Sequence, residues 1–161
     1  MFPGGYSSLQ PWKGLPMTTV SRTFTVTAAP DVVVPYLADF GNAVRWDPGT
    51  QSCTRNDSGP VQVGANWHNT SKIAGITTEL TYTLEQLTGD RVVLVGRNDT
   101  ATSTETIDVV PDGTGSSITY TNDLEFHGAA KLAAPAAKLV FEKLGDDTEE
   151  QLTEVLNGLA R

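Results

Sequence analysis

The sequence predicts an α+β fold in which a curved antiparallel sheet packs against one long C-terminal helix. Apolar residues recur at helical spacing through the last thirty or so residues, Lys131–Arg161, which is the one long helical pattern of the chain. Almost everything before it alternates as strands do, with turn residues at regular intervals. Because the links between strands are short, we expect neighbouring strands to be antiparallel.

The chain begins its regular structure with a strand and a helical pair. Residues Ser21–Thr27 alternate between two faces, which is typical of a strand with one buried side. Pro30 and Asp31 then favour a helix start, because proline suits the first helical position and aspartate the first turn. Pro35 removes a helical hydrogen bond, so we expect a distortion or a break into two short helices. Gly41 marks the end of this helical region.

Six further strand-like segments follow, rich in threonine and valine and separated by Gly, Pro, Asn and Asp turn signals. They are Gln51–Asn56, Asn66–Ile73, Thr77–Leu87, Arg91–Asn98, Ser103–Val110 and Ser117–His127. Their short links predict a meander of antiparallel neighbours, and the element order is one strand, a helical pair, six strands and the long helix.

The long helix contains Gly145 in its middle, where glycine costs about 1 kcal/mol relative to alanine. Three readings stay open: a bend that acts as a hinge, close approach of a strand or ligand, or a tolerated surface glycine. Residues 132–144 are expected to form a lid over a ligand space, and residues 152–159 to pack against the first strands.

Composition limits the classes of function. With 161 residues the chain is expected to hold one domain, residues 17–161, after a loosely packed or disordered Gly/Pro-rich tail at 1–16. A net charge of −8 and a pI near 4.6 argue against nucleic acid or an anionic membrane as partner. No signal-peptide pattern and no apolar run of about 18 residues is present, which predicts a cytoplasmic protein without stable membrane insertion, as a monomer or weak homodimer. Cys53 is the only cysteine and is expected to be an inert buried thiol.

Strand parity puts a few polar side chains on otherwise apolar faces of the sheet, the composition from which small-molecule pockets are built. The predicted ligand-binding residues on the sheet and the long helix are Trp67, Asn69, Leu80, Tyr82, Glu105, Tyr120, Asn122, Leu124, Leu139, Phe141 and Leu144. The alternative is an ordinary core whose polar groups are satisfied by backbone or water.

Catalytic signals are weak. Glu105 and Tyr120 are the candidates for acid–base chemistry, and no phosphate loop, nucleophile elbow or Ser/His/Asp arrangement is recognisable. His68 and His127 are predicted to face outward without further ligands nearby, so we expect neither a metal site nor a cofactor. The acidic run at 146–150 is predicted to be the solvated face of the helix. In the turn at residues 46–48, the tryptophan is expected to pack in the core and Asp47 to cap the turn.

The segments VVVPYLADFGNAVRWDPGT and EFHGAAKLAAPAAKLVFEKL, with this order of elements, resemble the START-like (SRPBCC) superfamily in its polyketide cyclase/dehydrase and lipid-transport branch. The similarity covers residues 17–161 and is carried mainly by residues 36–40 and 46–48. It implies a helix-grip fold, in which a seven-stranded antiparallel sheet curls around the C-terminal helix and leaves a deep apolar cavity. Members bind lipids, sterols, polyketides or plant hormones, and some catalyse cyclisation or dehydration without a shared catalytic signature.

Three functions therefore remain open. The first is binding or carriage of a small hydrophobic molecule such as a lipid, polyketide or aromatic metabolite. The second is a cyclase or dehydratase that uses an acid or base in the cavity. The third is a non-catalytic interaction domain whose interior is filled.

Overall fold

The computed structural model of the protein describes residues 17–159, apart from the side chains of residues 132–134 and 136. Within that range seven strands and three α-helices follow one another in the predicted order. The strands are β1 Met17–Val26, β2 Thr50–Arg55, β3 Asn66–Ile73, β4 Ile76–Leu87, β5 Arg91–Arg97, β6 Ala101–Asp112 and β7 Gly115–Phe126. The helices are α1 Pro30–Ala38, α2 Ala43–Trp46 and α3 Ala134–Leu159, with 3-10 turns at Phe40–Asn42 and Gly128–Ala133. The predicted loose tail at 1–16 lies outside the described residues.

The described strands form a single antiparallel sheet in the order β1-β7-β6-β5-β4-β3-β2. Strands β2 to β7 make the predicted meander of consecutive hairpins, and β1 pairs with β7, with Met17 opposite Glu125 at one end. Irregular registers in β2 near Thr50 and in β4 near Leu84 are of the kind that bends a strand. The curved sheet and the long helix confirm the helix-grip prediction.

Two strand and helix boundaries differ from the sequence prediction for local reasons. The first strand begins at Met17 rather than Ser21, because Thr18 and Val20 continue the buried positions of the alternation. The two short helices after β1 are confirmed, but helix α1 runs through Pro35 to Ala38. The interruption falls instead at Asp39, whose backbone is extended and whose Oδ1 accepts a hydrogen bond from the N–H of Gly41.

The apolar core lies at the end of the sheet covered by α1 and by the C-terminal half of α3. Inward-facing residues of the sheet meet Leu37 of α1 and Leu152 and Leu156 of α3, and all three leucines are fully buried. This confirms the predicted packing role of residues 152–159. None of the described helices is both long and apolar enough to cross a membrane.

Gly145 marks the place where α3 crosses β1. It is buried, and a Cβ at this position would overlap Val20 Cγ1 and lie 3.1 Å from Arg22 Cζ. The Arg22 guanidinium donates to the backbone carbonyl of Glu142 at 2.9 Å and to the carboxylates of Glu142 and Asp146 at 3.1 and 3.0 Å. The surface-glycine reading is therefore wrong, and close approach of a strand is the reading that the structure supports.

Candidate functional site

A cavity of about 180 Å³ lies between the inner face of the sheet and the N-terminal half of α3. Its apolar wall includes Leu80 and Leu124 from the sheet and Phe141 and Leu144 from the helix. The polar side chains that reach it are Asp47, Ser71, Thr78, Tyr82, Thr100, Ser103, Glu105, Tyr120, Asn122 and Thr148. The site is therefore an apolar pocket with one concentrated polar region.

Glu105 is the buried centre of that polar region. It lies on β6 in an alternating row of inward side chains, between Ser103 and Ile107, and only 2% of its surface is exposed. The Tyr120 hydroxyl on the neighbouring strand β7 donates to Glu105 Oε1 at 3.0 Å. Beside this pair, Asn122 Nδ2 donates to Ser103 Oγ at 2.9 Å. The parity of two adjacent strands thus brings an acid, a phenol, an amide and a hydroxyl to one place.

Tyr82 joins this group because of a glycine on the strand next to it. Gly96 of β5 lies opposite Tyr82 of β4, and a Cβ on Gly96 would come within 2.6 Å of the Tyr82 ring carbon Cζ. With no side chain in the way, the ring lies flat over β5, and its hydroxyl interacts with Ser103 and Glu105 on β6. An aromatic ring over a facing glycine is a known way to cover a strand that lacks a side chain.

The buried carboxyl group of Glu105 titrates far from its ordinary range. Its pKa is raised to about 8, first by burial and then by the negative charge of Asp47, while hydrogen bonds from Tyr120 and Tyr82 act in the opposite direction. Burial also raises the pKa of both tyrosines well above the ordinary value, and the charge of Glu105 adds to the rise. At neutral pH Glu105 is therefore mostly protonated, and it can both donate and accept a proton.

Asp47 forms a second acidic group of the cavity. It caps its turn as predicted, because Oδ1 accepts from the N–H of Gly49 at 3.4 Å and Oδ2 from the Thr50 hydroxyl at 2.5 Å. Thr50 in turn accepts from Asn69 Nδ2 at 3.0 Å, and Ser71 donates to Asn69 Oδ1 at 2.7 Å. Burial raises the pKa of Asp47, and the hydrogen bonds that it accepts from Thr50 and Gly49 oppose the rise. The chain of hydrogen bonds begins and ends at residues that line the cavity.

The structure brings most of the predicted site residues to the cavity. Those that line it are Leu80, Tyr82, Glu105, Tyr120, Asn122, Leu124, Phe141 and Leu144. The other three predicted residues, Trp67, Asn69 and Leu139, do not line it. Trp67 is fully buried beside the cavity wall, with its ring 6.2 Å from that of Phe40 and under the Arg55 guanidinium. Asn69 is buried, but its amide is bonded to Thr50 and Ser71.

Leu139 is the clearest departure from the prediction. It belongs to the apolar stripe of the last helix, but 79% of its surface is exposed and it is not among the residues that line the cavity. Phe141 and Leu144, on the same helix, do reach the cavity. The side chain of Leu132, at the other end of the predicted lid, lies outside the described residues.

Sequence reasoning missed Asp47, Ser71, Ser103 and Gly96 as parts of the site. Ser71 and Ser103 share strand parity with predicted residues and could have been found in that way. Asp47 lies in a turn, where alternation between two faces does not apply. Gly96 contributes no side chain and matters only because it leaves room for the Tyr82 ring. The Phe40 ring packs against the rings of Trp46, Trp67 and Tyr82. Trp46 is fully buried, as predicted.

The other reactive residues carry no chemistry that can be recognised. His68 is exposed and bonded to Glu79, and His127 is bonded to Thr102. Burial raises the pKa of the Cys53 thiol to about 12, which leaves it protonated and unreactive. In the part of the chain that the structure describes, no group of three or more His, Cys, Asp or Glu residues could hold a metal ion.

Comparisons with known proteins concern the family and the fold of the chain. The sequence profile of the family described as polyketide cyclase / dehydrase and lipid transport matches residues 17–160. A comparison with curated protein sequences found no match.

Solved structures share the fold at low sequence identity. The Zhui aromatase/cyclase from Streptomyces sp. R1128 is 16% identical with a TM-score of 0.76, over 90% of this chain and 96% of that one. TTHA0849 from Thermus thermophilus is 13% identical with a TM-score of 0.72, over 91% and 100% of the two chains. A START superfamily protein from Mycobacterium smegmatis is 19% identical with a TM-score of 0.63, over 87% and 94%.

Proposed function

Because the chain belongs to the polyketide cyclase/dehydrase and lipid-transport family of the START-like superfamily, we propose that it binds a small, largely apolar molecule in the cavity between its sheet and α3. The observation that carries the proposal is an apolar cavity with a buried polar anchor, the Glu105–Tyr120 pair. Apolar walls provide affinity, and a few convergent polar groups fix orientation. The cavity of about 180 Å³ lies below the roughly 300–1,000 Å³ of drug-sized pockets, so its size favours a filled interaction domain, the third possibility above, which stays the alternative that the binding experiment tests.

The size of the cavity limits the ligand. Pockets for drug-sized ligands span roughly 300–1,000 Å³, whereas this cavity has about 180 Å³. Apolar cavities of about 150 Å³ in other proteins hold a benzene molecule. A one-ring molecule with a short polar substituent therefore fits the cavity as it stands, and a long acyl chain requires the N-terminal half of α3 to move outward.

Native mass spectrometry and a binding panel test the proposal. We expect the purified protein to carry, or to take up, small aromatic or polyketide-like molecules. Leu124→Trp, which fills the cavity wall, should abolish this binding, whereas Val110→Trp, at a position that is 48% exposed, should not. Protein that is always empty, and that binds no member of the panel while its circular dichroism shows a folded chain, would refute the proposal.

One observation favours a second candidate function, proton transfer during cyclisation or dehydration of a carbonyl compound. A carboxyl group with a pKa of about 8 has both of its protonation states available near neutral pH, as a general acid or base requires. In this reading Glu105 gives a proton to a carbonyl or leaving hydroxyl oxygen, or takes one from carbon, while the Tyr120 hydroxyl, which donates to Glu105 Oε1, holds the carboxyl group in place. Glu105→Gln and Tyr120→Phe should then remove turnover and leave binding, and activity that survives both changes would exclude this role.

A further inference from the structure

We propose that the cavity selects small apolar molecules that carry a protonated amine, with Asp47 as the counter-charge and Glu105 as a second carboxyl group that ionises when the amine binds. The inference rests on the proposed function, because it names the ligand class for the same cavity. Two carboxyl groups line this small space, and the described residues around it include no lysine, arginine or histidine. The cavity wall thus offers two acidic groups and no basic group.

The hydrogen bonds around Asp47 favour its carboxylate form. The Thr50 oxygen accepts from Asn69 Nδ2, so its own hydroxyl hydrogen is left to point at Asp47 Oδ2. Ser71 fixes that orientation of the amide by donating to Asn69 Oδ1. The N–H of Gly49 points at the other carboxylate oxygen, Oδ1. Both oxygens of Asp47 therefore act as acceptors, which stabilises the carboxylate and opposes the rise that burial causes in the pKa of Asp47.

Within the described part of the chain, no ion pair reaches either carboxyl group. Arg22, which lies where α3 crosses β1, is bonded to Glu142 and Asp146 on the helix. A bound cation is attracted by the carboxylate of Asp47 and favours the ionised form of Glu105. A carboxylate ligand would add a further negative charge, and a neutral ligand would supply hydrogen bonds but no compensating charge. The electrostatics therefore rank an amine first, a neutral molecule second and an acid last.

The remaining walls suit the rest of such a molecule. Tyr82 and Tyr120 line the cavity beside Glu105, and a cation over the face of a tyrosine ring is attracted by its π-electrons. Leu80, Leu124 and Leu144 provide an apolar wall for one ring. The combination fits an arylalkylamine of about one ring and a short linker.

Amine binding should be linked to protons. The titratable groups whose charge or hydrogen bonds act on Glu105 are Tyr82 from β4, Tyr120 from β7 and Asp47 from the link between α2 and β2, and the charge of Glu105 also acts on Cys53 of β2. Burial keeps the two tyrosines and the cysteine protonated through the neutral range, so Glu105 is the group that changes charge as pH rises toward 8. An ammonium lowers the pKa of Glu105, so it should bind more tightly as pH rises and should release protons on binding.

Isothermal titration of the full chain with three matched probes tests the inference: 2-phenylethylamine, 2-phenylethanol and phenylacetate. At about pH 7.5 we expect the amine to bind about tenfold or more tightly than the alcohol, and the acid to bind most weakly. Between about pH 6 and about 8.5 the affinity for the amine should rise while that for the alcohol stays level. Equal or tighter binding of the alcohol would overturn the amine proposal and leave the proposed function intact. Binding of none of the three would overturn the amine proposal, and it would overturn both if the protein is also empty and binds no member of the panel.

Matched variants test which residues cause the preference for the amine over the alcohol. Asp47→Asn and Glu105→Gln should each bring the affinity for the amine close to that for the alcohol, and Glu105→Gln should also remove the pH dependence. Glu154→Gln, which removes the same charge from an exposed position on α3, should change neither quantity. If Asp47→Asn does not fold, Glu105→Gln alone decides, and an unchanged preference for the amine in that variant would refute the assignment.

Discussion

The contact between α3 and β1 at Gly145 predicts that alanine, ordinarily the better helix former, destabilises this helix. The new Cβ would overlap Val20 Cγ1 and lie 3.1 Å from Arg22 Cζ. Neither neighbour can withdraw easily. Val20 belongs to a strand that is paired to β7 along its length, and Arg22 is held by three hydrogen bonds to α3.

Two opposing effects set the magnitude. Replacing glycine by alanine inside a helix stabilises by about 1 kcal/mol. Forcing an extra methyl group into a packed site costs about 1–3 kcal/mol, and the rigid neighbours put this site in the upper half of that range. The expected net loss for Gly145→Ala is therefore about 1–2 kcal/mol, or about 2–8 °C in Tm for a chain of this size.

Urea denaturation followed by circular dichroism measures this loss, and Gly158→Ala is its control. Gly158 lies on the same helix, and a methyl group added there would have no neighbouring atom within 4 Å, so that change should be neutral or stabilise by up to about 1 kcal/mol. If Gly145→Ala stabilised the protein as much as Gly158→Ala does, the contact between Gly145 and β1 would be wrong. Ligand exchange measured on Gly145→Ala also tests the hinge at this residue, which stays a prediction: an unchanged exchange rate would remove it.

The other predictions concern the ring over β5, the buried acid and the helix stripe. Gly96→Ala should displace the Tyr82 ring, weaken binding and lower the free energy of unfolding in urea by about 1–3 kcal/mol. Gly89→Ala, where the added methyl group meets no atom within 4 Å, should have none of these effects, and equal effects of the two changes would refute the reasoning. Glu105 has a folded-state pKa above its unfolded value, so its contribution to stability is full below about pH 4.5 and is lost as pH rises toward about 8. Glu105→Gln should remove this fall of stability with pH. Parallel curves of stability against pH for the two proteins would contradict the prediction. Leu156→Ala should cost about 2–5 kcal/mol and Leu139→Ala less than about 0.5 kcal/mol in thermal melts, and similar losses would contradict the exposed position of Leu139.

Strand parity was the strongest source of correct inference from the sequence. Ser103, Glu105 and Ile107 alternate with outward threonines, so one strand was enough to aim Glu105 inward. Short turns then gave the meander, since hairpin neighbours must be antiparallel. Together these two rules placed Tyr120 and Asn122 on the strand beside Glu105 before any distance was known.

Strand parity does not tell how exposed a side chain is or which groups it bonds to. Asn69 faces inward as predicted, but its amide is used by Thr50 and Ser71. Helical spacing put Leu139 on the apolar stripe, yet Leu139 is exposed while Phe141 lines the cavity, because two residues of helix turn the side chain by about 200°. A periodic pattern does not tell which face of the helix has a partner. Asp47 was read correctly as a turn cap, but only the fold brings that turn to the cavity.

The pairing of β1 with β7 has a consequence for the order in which this molecule folds. Hairpins β2 to β7 join residues that are close in the chain, whereas Ser21 meets Thr121 across 100 residues. Closing so long a loop costs entropy that no local contact repays, so β1 and the helix that lies on it should join late. We expect low φ-values for substitutions in β1 and higher ones in the hairpin of β6 and β7, and the reverse pattern would refute this order. The cavity would then be the last part of the molecule to form, so a ligand could slow unfolding without speeding the early steps of folding.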